Sequence, residues 1–304
     1  MKTRLILLSC ICVALVGMDL RISFAQKNSS QGQYQFPTIQ MAGKSTAALG
    51  INQRSQIVGT YLANTDSNKG FLRTRKGLLN IDYENGYSTV LAGINQSGRI
   101  VGAYIDSWGD YHGFIEENGT FVPIESFGSN LSGAISSAAM DINRQGHVVG
   151  WYSDSEGMHG FLYDGSAFID LLPEGTTDTD YAACGISERG EIVGWYSDSL
   201  GEGFFIYNSS GFNKMNPQSI GGYVVESITA MDINRRGRIV GYFIDDGGIS
   251  HGFLYDGGEY TVIDLASDSL TFVGTALTGI NGRGQIVGWA TGTDDEMYGF
   301  IGKP

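Results

Sequence analysis

The sequence predicts an all-β protein: a six-bladed β-propeller of four-stranded blades, in which an N-terminal strand closes the last blade. The first observation is a repeat of Gly/Asp-Ile-Asn, Ile-Val-Gly and Gly-Phe, which recurs with substitutions. Its copies start at Gly50, Gly93, Asp141, Gly185, Asp232 and Gly279. The starts are 43 to 48 residues apart, without a helical pattern between them, and this period is typical of propeller blades. The second observation is that the two ends of the chain complete each other.

The chain begins with the pattern of an export signal. Two basic residues precede an apolar run over residues 5–16, and Ala25 ends a stretch with small residues suited to cleavage. The run is shorter than the ~20 apolar residues of a membrane span. Lipid attachment at Cys10 is disfavoured, because almost no apolar region precedes it. We therefore expect a signal peptide over residues 1–25, a flexible leader over 26–33 and a secreted protein, extracellular or periplasmic, without membrane insertion.

Composition restricts the partners of the mature chain. Its net charge is near −15, since the signal removes two positive charges from a total of −13. This charge argues against nucleic acid and against an anionic lipid surface as partners. Cys184 is the only cysteine left, so stability depends on packing and not on an internal disulfide. We expect a monomeric propeller domain over residues 34–304.

The first two strands of each unit have the character of inner propeller strands. The first is small and apolar, as in Ser137-Ala138-Ala139-Met140, which suits the crowded innermost place. The second is Ile-Val-Gly followed by aromatic residues, as over residues 192–196, and both of its faces are apolar. A strand with two apolar faces belongs to a sheet that is covered on both sides, as when blades stack on one another.

The outer two strands predict how the ring closes. The third strand begins with Gly-Phe, and a turn such as Asn118-Gly119 leads to the fourth. The last unit, residues 275–301, has no fourth strand, whereas an unassigned strand at residues 34–39 precedes the first unit. This strand can fill the vacant place and leave no unpaired edge between the first and last blades. The alternative is an open β-solenoid, which needs capping ends and gains nothing from a shared blade.

The two ends of the predicted ring differ in charge. The turns between first and second strands carry Arg54, Arg99, Arg144, Arg189, Arg235, Arg236, Arg238 and Arg283. The opposite loops carry Asp66, Asp106, Asp110, Asp154, Asp178, Asp180, Asp198, Asp245, Asp246, Asp268, Asp294 and Asp295. Exposed turns need charge for solubility, which explains the pattern without a function. An acidic face would also attract a cation or a cationic partner.

Three histidines, His112, His159 and His251, precede Gly-Phe in their units, and each follows an aspartate by five or six residues. An Asp–His pair can take part in acid–base catalysis. Three copies in three blades favour a structural role instead, in which the carboxylate ties the loop to the next strand. We therefore assign no catalytic residue to these pairs.

Calcium is the only metal for which the sequence offers ligands. Asp178-Thr179-Asp180 and Asp294-Asp295-Glu296 supply oxygen atoms, but neither has the spacing of a helix–loop–helix site. We predict no cofactor. Trp108 does not recur in other units and lies in a polar loop, which makes it a candidate ligand contact. The candidate contacts on the acidic face are Trp108, Asp110, Asp178, Asp180, Asp294 and Asp295.

The pattern Gly-Ile-Asn-x-x-Gly-x-Ile-Val-Gly, followed by His-Gly-Phe, runs through residues 93–114, 141–161 and 232–253 with substitutions. It resembles the HAF-type extracellular repeat family of bacterial secreted proteins. The resemblance covers nearly all of residues 34–301, although the His-Ala-Phe triplet of the family is His-Gly-Phe here. It implies export and a repeat architecture, and it implies no activity.

Two functions remain open at this stage. The first is a non-catalytic binding propeller that recognises a glycan or a protein on its acidic face. The alternative is an extracellular carbohydrate-active enzyme, a hydrolase or lyase with carboxylates at the channel mouth. The enzyme requires two carboxylates in one pocket, one of them with a raised pKa.

Overall fold

The structure is a computed structural model that describes residues 35–41, 44–64, 67–124, 134–171, 180–199, 201–266 and 271–303. The expected signal peptide and leader lie outside these residues, as do Asp66, Asp178 and Asp268. The described chain contains 25 β-strands in six antiparallel sheets. No helix in this part of the chain is long and apolar enough to cross a membrane.

Each sheet is one blade. The N-terminal strand β1 spans Thr38–Ile39. Blade 1 contains β2 (Thr46–Ile51), β3 (Ile57–Leu62), β4 (Asn68–Thr74) and β5 (Gly77–Asn80). Blade 2 contains β6 (Ser88–Ile94), β7 (Ile100–Ile105), β8 (Tyr111–Glu117) and β9 (Thr120–Pro123). Blade 3 contains β10 (Ser136–Ile142), β11 (Val148–Ser153), β12 (Met158–Tyr163) and β13 (Phe168–Asp170).

The second half of the ring continues the series. Blade 4 contains β14 (Asp180–Ile186), β15 (Ile192–Asp198), β16 (Gly201–Asn208) and β17 (Gly211–Met215). Blade 5 contains β18 (Ser219–Ile220), β19 (Tyr223–Ile233), β20 (Ile239–Asp245), β21 (Ser250–Asp256) and β22 (Glu259–Ile263). Blade 6 contains β23 (Phe272–Ile280), β24 (Ile286–Gly292) and β25 (Met297–Gly302), with β1 as its outermost strand. Blade 5 therefore has a short additional strand, β18, which pairs with the start of β19.

The six-bladed propeller and its closure by the N-terminal strand are confirmed. Strand β1 pairs antiparallel with β25, with Thr38 opposite Phe300 and Ile39 opposite Gly299. The ring of Phe36 meets the edge of Phe300 at a centroid distance of 5.6 Å. Strand β2 of blade 1 contacts β24 and β25 of blade 6, so the first and last blades pack on each other. Pairing with β1 covers the outer edge of β25, which would otherwise be a template for association with other chains.

The first strands are the innermost strands, because β2, β6, β10, β14, β19 and β23 contact one another in sequence around the axis. Each of them contains a β-bulge at the start of the repeat, for example between Ala139 and Asp141. The neighbouring second strand lies so close that a Cβ atom on Gly194 would be 1.9 Å from the carbonyl oxygen of Ala182. Contacts this short explain the glycine of Ile-Val-Gly.

Candidate functional site

We name the two ends of the ring by their connections. The loop face carries the loops between second and third strands, such as residues 106–110 of blade 2. The turn face carries the hairpins between first and second strands, such as residues 52–56 of blade 1. Of the aspartates in the sequence prediction, those that the structure describes lie on the loop face, and the arginines lie on the turn face.

The aspartates that begin the loops of the loop face organise those loops. In blade 2, Asp106 Oδ1 accepts hydrogen bonds from the amides of Trp108 (2.8 Å) and Asp110 (3.0 Å). Its Oδ2 atom is 3.2 Å from Nε2 of His112 at the start of the next strand. Desolvation raises the pKa of Asp106, but these hydrogen bonds outweigh it and the pKa is lowered. The carboxylate thus fixes the turn and joins it to β8, which matches a structural role for the Asp–His pairs.

In blade 5, the histidine of the Asp–His pair contacts a second carboxylate in addition to that of Asp245. His251 Nδ1 lies 2.8 Å from Asp264 Oδ2, and its Nε2 lies 3.3 Å from Asp245 Oδ2. The imidazole is 6% exposed and stacks on Phe243. Burial lowers the pKa of His251, but the two carboxylates outweigh burial and the pKa is raised overall. The arrangement stabilises the charged imidazolium and locks the loop of blade 5.

The predicted ligand contacts within the described residues are distributed over blades 2, 4 and 6. Asp180 Oδ1 accepts a hydrogen bond from the amide of Met158 at 2.9 Å and so joins blade 4 to blade 3. In blade 6, Asp294 Oδ2 accepts a hydrogen bond from the Tyr298 hydroxyl at 2.6 Å. Its neighbour Asp295 is exposed at a turn, with φ of 62°. Asp180 and Asp294 are thus held by contacts within the scaffold, and each lies two blades away from Trp108.

Trp108 is the most exposed large apolar side chain of the described residues, at 88%. Two other exposed apolar residues lie on the loop face, Tyr87 at the start of blade 2 and Ile135 at the start of blade 3. The amide of Tyr87 donates to the carbonyl oxygen of Ile105 at 2.7 Å, just before the Trp108 loop. Ile135 precedes Ser136, whose hydroxyl accepts a hydrogen bond from the Tyr111 amide just after that loop. We call Tyr87, Trp108 and Ile135 the apolar patch.

A ring of side-chain amides surrounds the axis on the turn face. Asn52 Nδ2 donates to the carbonyl oxygen of Asn95 in the next blade at 2.9 Å. The bond recurs around the ring, from Asn95 to Asn143, Asn143 to Ser187, Asn234 to Asn281 and Asn281 to Asn52. In blade 4, Ser187 replaces the asparagine, and among the described residues it makes no such bond. The asparagine of the repeat therefore connects neighbouring blades.

Inside this ring lies a pocket on the propeller axis. Its volume, taken as the space that the centre of a water molecule can reach, is about 50 Å³. Three carboxylates line the pocket, Asp141 from blade 3, Asp232 from blade 5 and Glu188 from blade 4, together with the guanidinium of Arg235. We name this space the axial pocket. It lies on the arginine-bearing turn face, opposite to the face on which we had expected the ligand.

Asp141 and Asp232 each join two blades. Asp141 Oδ1 accepts the amide hydrogen of Ile142 (2.8 Å), and its Oδ2 accepts that of Ile186 in blade 4 (2.9 Å). Asp232 makes the same pair of bonds to Ile233 (2.6 Å) and to Ile280 in blade 6 (2.7 Å). The two carboxylates thus bridge blade 3 to blade 4 and blade 5 to blade 6.

The carboxyl groups of Asp141 and Asp232 both have raised pKa values. Desolvation by the surrounding protein raises the pKa of Asp141 to about 6, although its backbone hydrogen bonds oppose the shift. Desolvation and then the charge of Asp141 raise the pKa of Asp232 well above its ordinary value. The carboxylate of Glu188 adds to both shifts. The pocket therefore holds protons at a pH at which exposed aspartates have lost them.

Asp141 and Asp232 are not among the site residues predicted from the sequence, although the repeat distinguishes them from the other units. Four units begin with glycine at this position and two with aspartate. A departure from the residue that most units share marks a place where the fold alone does not explain the side chain. Among the described residues, no group of three or more His, Cys, Asp or Glu side chains is arranged to hold a metal ion.

Comparison with known proteins identifies relatives in fold. No protein-family model matches the chain, and no curated protein matches it. A crystal structure of the fungal lectin from Aleuria aurantia, with a six-bladed β-propeller fold and fucose recognition, superposes with a TM-score of 0.54 at 12% identity. The match covers 87% of this chain and 93% of the lectin. A mutant of the same lectin in complex with α-methyl-L-fucoside gives a TM-score of 0.53 at 14% identity, with the same coverage.

An enzyme superposes almost as well. The gluconolactonase XC5397 from Xanthomonas campestris has a TM-score of 0.51 at 10% identity, covering 90% of this chain and 91% of the enzyme. The likeness is one of fold. Because one architecture serves a lectin and a lactonase, function has to be argued from the residues of this chain.

Proposed function

We propose that the protein is a non-catalytic carbohydrate-binding propeller that engages a glycan on its loop face through Trp108. The observation that carries the proposal is the 88% exposure of this indole. Large aromatic side chains usually bury most of their surface, and exposed ones are enriched in binding sites. The expected signal peptide would place this binding outside the cytoplasm.

The backbone of the loop that carries Trp108 is fixed by hydrogen bonds before a ligand binds. Because Asp106 Oδ1 accepts both the Trp108 and the Asp110 amides, the turn has one defined backbone conformation. A preorganised contact loses little conformational entropy on binding. Tyr87, at 50% exposure, and Ile135, at 59%, extend the apolar surface beside it. The sugar-binding lectins among the structural neighbours support a carbohydrate ligand, by analogy of fold only.

The test is a glycan array followed by calorimetry. The Trp108→Ala variant should bind the best carbohydrate about tenfold more weakly or worse, a loss of about 1.4 kcal/mol or more. The control is Val224→Ala, which removes an apolar side chain, 51% exposed, from blade 5 and should bind normally. Equal affinity of Trp108→Ala and the native protein would exclude Trp108 as the contact. An array without any bound carbohydrate would exclude the proposal.

A second candidate function rests on the axial pocket. Asp141 and Asp232 meet part of the requirement for a carbohydrate hydrolase or lyase, because they line one pocket and have raised pKa values. Their four backbone hydrogen bonds favour a structural role. Reducing ends released from a polysaccharide by the native protein, and lost in both Asp141→Gly and Asp232→Gly, would establish the enzyme. Absence of product from every polysaccharide tested would exclude it.

A further inference from the structure

Six backbone N–H groups point toward the axis on the turn face. The amide of Asn52 donates to the carbonyl oxygen of Gln56 and so belongs to the ladder between β2 and β3. The N–H of the preceding residue, Ile51, faces the other way, because successive amides of a strand point to opposite sides. The other side of an innermost strand is the axis. The isoleucines at this place in the six blades are Ile51, Ile94, Ile142, Ile186, Ile233 and Ile280.

Two carboxylates of the protein satisfy four of these six donors. Each takes one N–H from its own blade and one from the next, at 2.6 to 2.9 Å. Blades 3 and 4 share Asp141, and blades 5 and 6 share Asp232. The ring thus contains three pairs of donors, and two of the pairs already show how a carboxylate binds to them.

The third pair belongs to blades 1 and 2. Its donors are the N–H groups of Ile51 and Ile94, and among the described residues neither has a side-chain acceptor. The residue that would supply a carboxylate is Gly50. A Cβ atom at Gly50 would lie 2.5 Å from the carbonyl oxygen of Ala92, so a side chain there would force the two blades apart. Both isoleucines line the axial pocket, which is open to solvent.

We propose that the axial pocket binds a carboxylate ligand, whose two oxygens accept the N–H groups of Ile51 and Ile94 as Asp141 accepts those of Ile142 and Ile186. The ligand is a small carboxylic acid or the carboxylate of an acidic sugar. The site is independent of Trp108 and of the function proposed for the loop face. A backbone N–H pair of this kind binds oxyanions through two directed hydrogen bonds.

The charges around the pocket make this binding dependent on pH. The groups that face the ligand are the carboxyls of Asp141, Asp232 and Glu188 and the guanidinium of Arg235. The carboxylate of the ligand is repelled when Asp141 and Asp232 are ionised, and this repulsion is relieved when they hold protons. Since desolvation raises the pKa of both aspartates, affinity should rise as the pH falls toward 5 and decline above about 6.

The proposal can be tested at the two donors themselves. The native protein is labelled with ¹⁵N-isoleucine, and the Ile51→Val and Ile94→Val variants, each lacking one resonance, assign the two amides. Sodium formate at about pH 5 should move both amide resonances downfield in a saturable way, and leave those of Ile142, Ile186, Ile233 and Ile280 nearly unchanged. Sodium chloride at equal ionic strength is the control. Absence of a formate-specific shift at Ile51 and Ile94 would overturn the proposal.

A second variant should create another donor pair of the same kind between blades 3 and 4. Asp141→Gly introduces the residue that four other blades carry and leaves the N–H groups of Ile142 and Ile186 without their acceptor. Formate should then bind two molecules per chain and raise the melting temperature of this variant more than that of the native protein. A variant that gains no response to formate contradicts the donor-pair geometry. Response to glucuronate as well as formate would show that the pocket admits an acidic sugar, and response to formate alone would restrict the ligand to a small free acid.

Discussion

Asn281 in the last blade donates its side-chain amide to the carbonyl oxygen of Asn52 in the first blade, across 3.1 Å. Both residues are buried, at 1% and 4% exposure. The bond lies on the turn face, close to the axis, whereas β1 closes the same blade at its outer edge. The two ends of the chain are thus joined both at the centre and at the rim of the ring.

Replacement of Asn281 by alanine should destabilise the fold by about 2–4 kcal/mol, because several buried partners lose their bond. The Oδ1 atom of Asn281 also accepts the amides of Arg283 (3.0 Å) and Gln285 (3.1 Å), which shape the hairpin. Urea unfolding measures the change. Asn213→Ala, which removes an exposed asparagine from blade 4, should cost less than about 0.5 kcal/mol. Equal losses in the two variants would mean that the ring of amides adds no stability.

The N-terminal strand should contribute to the stability of the whole propeller. Ile39 is 4% exposed and packs with Val287 and Ile301 in the space between the first and last blades. The change Ile39→Ala should therefore cost about 2–4 kcal/mol in urea unfolding. Leu79→Ala removes a similar side chain that is 55% exposed on β5, and it should cost far less. A native-like unfolding midpoint for Ile39→Ala would show that closure by β1 is not needed in solution.

The glycine of Ile-Val-Gly should not tolerate even one additional methyl group. In Gly194→Ala the new Cβ would approach the carbonyl oxygen of Ala182 to 1.9 Å, and backbone atoms cannot move aside as a flexible side chain does. We expect a loss of about 3 kcal/mol or more, by thermal or urea unfolding. The matched control is Gly274→Ala, whose nearest neighbour would be Ser250 Cβ at 3.6 Å, an ordinary contact. A Gly194→Ala protein as stable as this control would contradict the close approach of β14 and β15.

The stability of the protein should fall as pH rises from about 4 to 7. Desolvation raises the pKa of Asp141 to about 6, so the folded state holds a proton that the unfolded chain has released. The resulting stabilisation is complete below the ordinary aspartate pKa and is lost as pH rises through about 6. Asp232 acts in the same direction, since its pKa is also raised. Each retained proton changes the unfolding free energy by at most about 1.4 kcal/mol per pH unit.

Urea unfolding of the native protein and of Asp141→Gly at a series of pH values measures this dependence. The raised pKa of His251 gives a slope of the same sign, but it is present in both proteins and cancels in their difference. The variant should show a shallower decline between about pH 4 and 6. Parallel curves would indicate that Asp141 titrates normally in the folded protein.

Much of the scaffold could be predicted because the information is local and repeated. The small residues before Asp141, the glycine of Ile-Val-Gly and the turn glycines specify the same four strands in each unit. The unpaired strand before the first unit then predicts the closure at β25. The extra strand β18 could not be predicted, because it occurs once and the repeat supplies no second copy for comparison.

The blade, the number of blades and the partner of the N-terminal strand can be read from the sequence, since they follow from hydrogen-bonding and burial patterns that recur along the chain. Which side chains meet depends on how the ring closes. The tertiary structure separates Trp108, Asp180 and Asp294 into alternate blades, and it brings Asp141 and Asp232 into one pocket. The physical reason is closure: the ring brings first strands from all six blades to one axis, where amides and carboxylates far apart in the chain must share one small space.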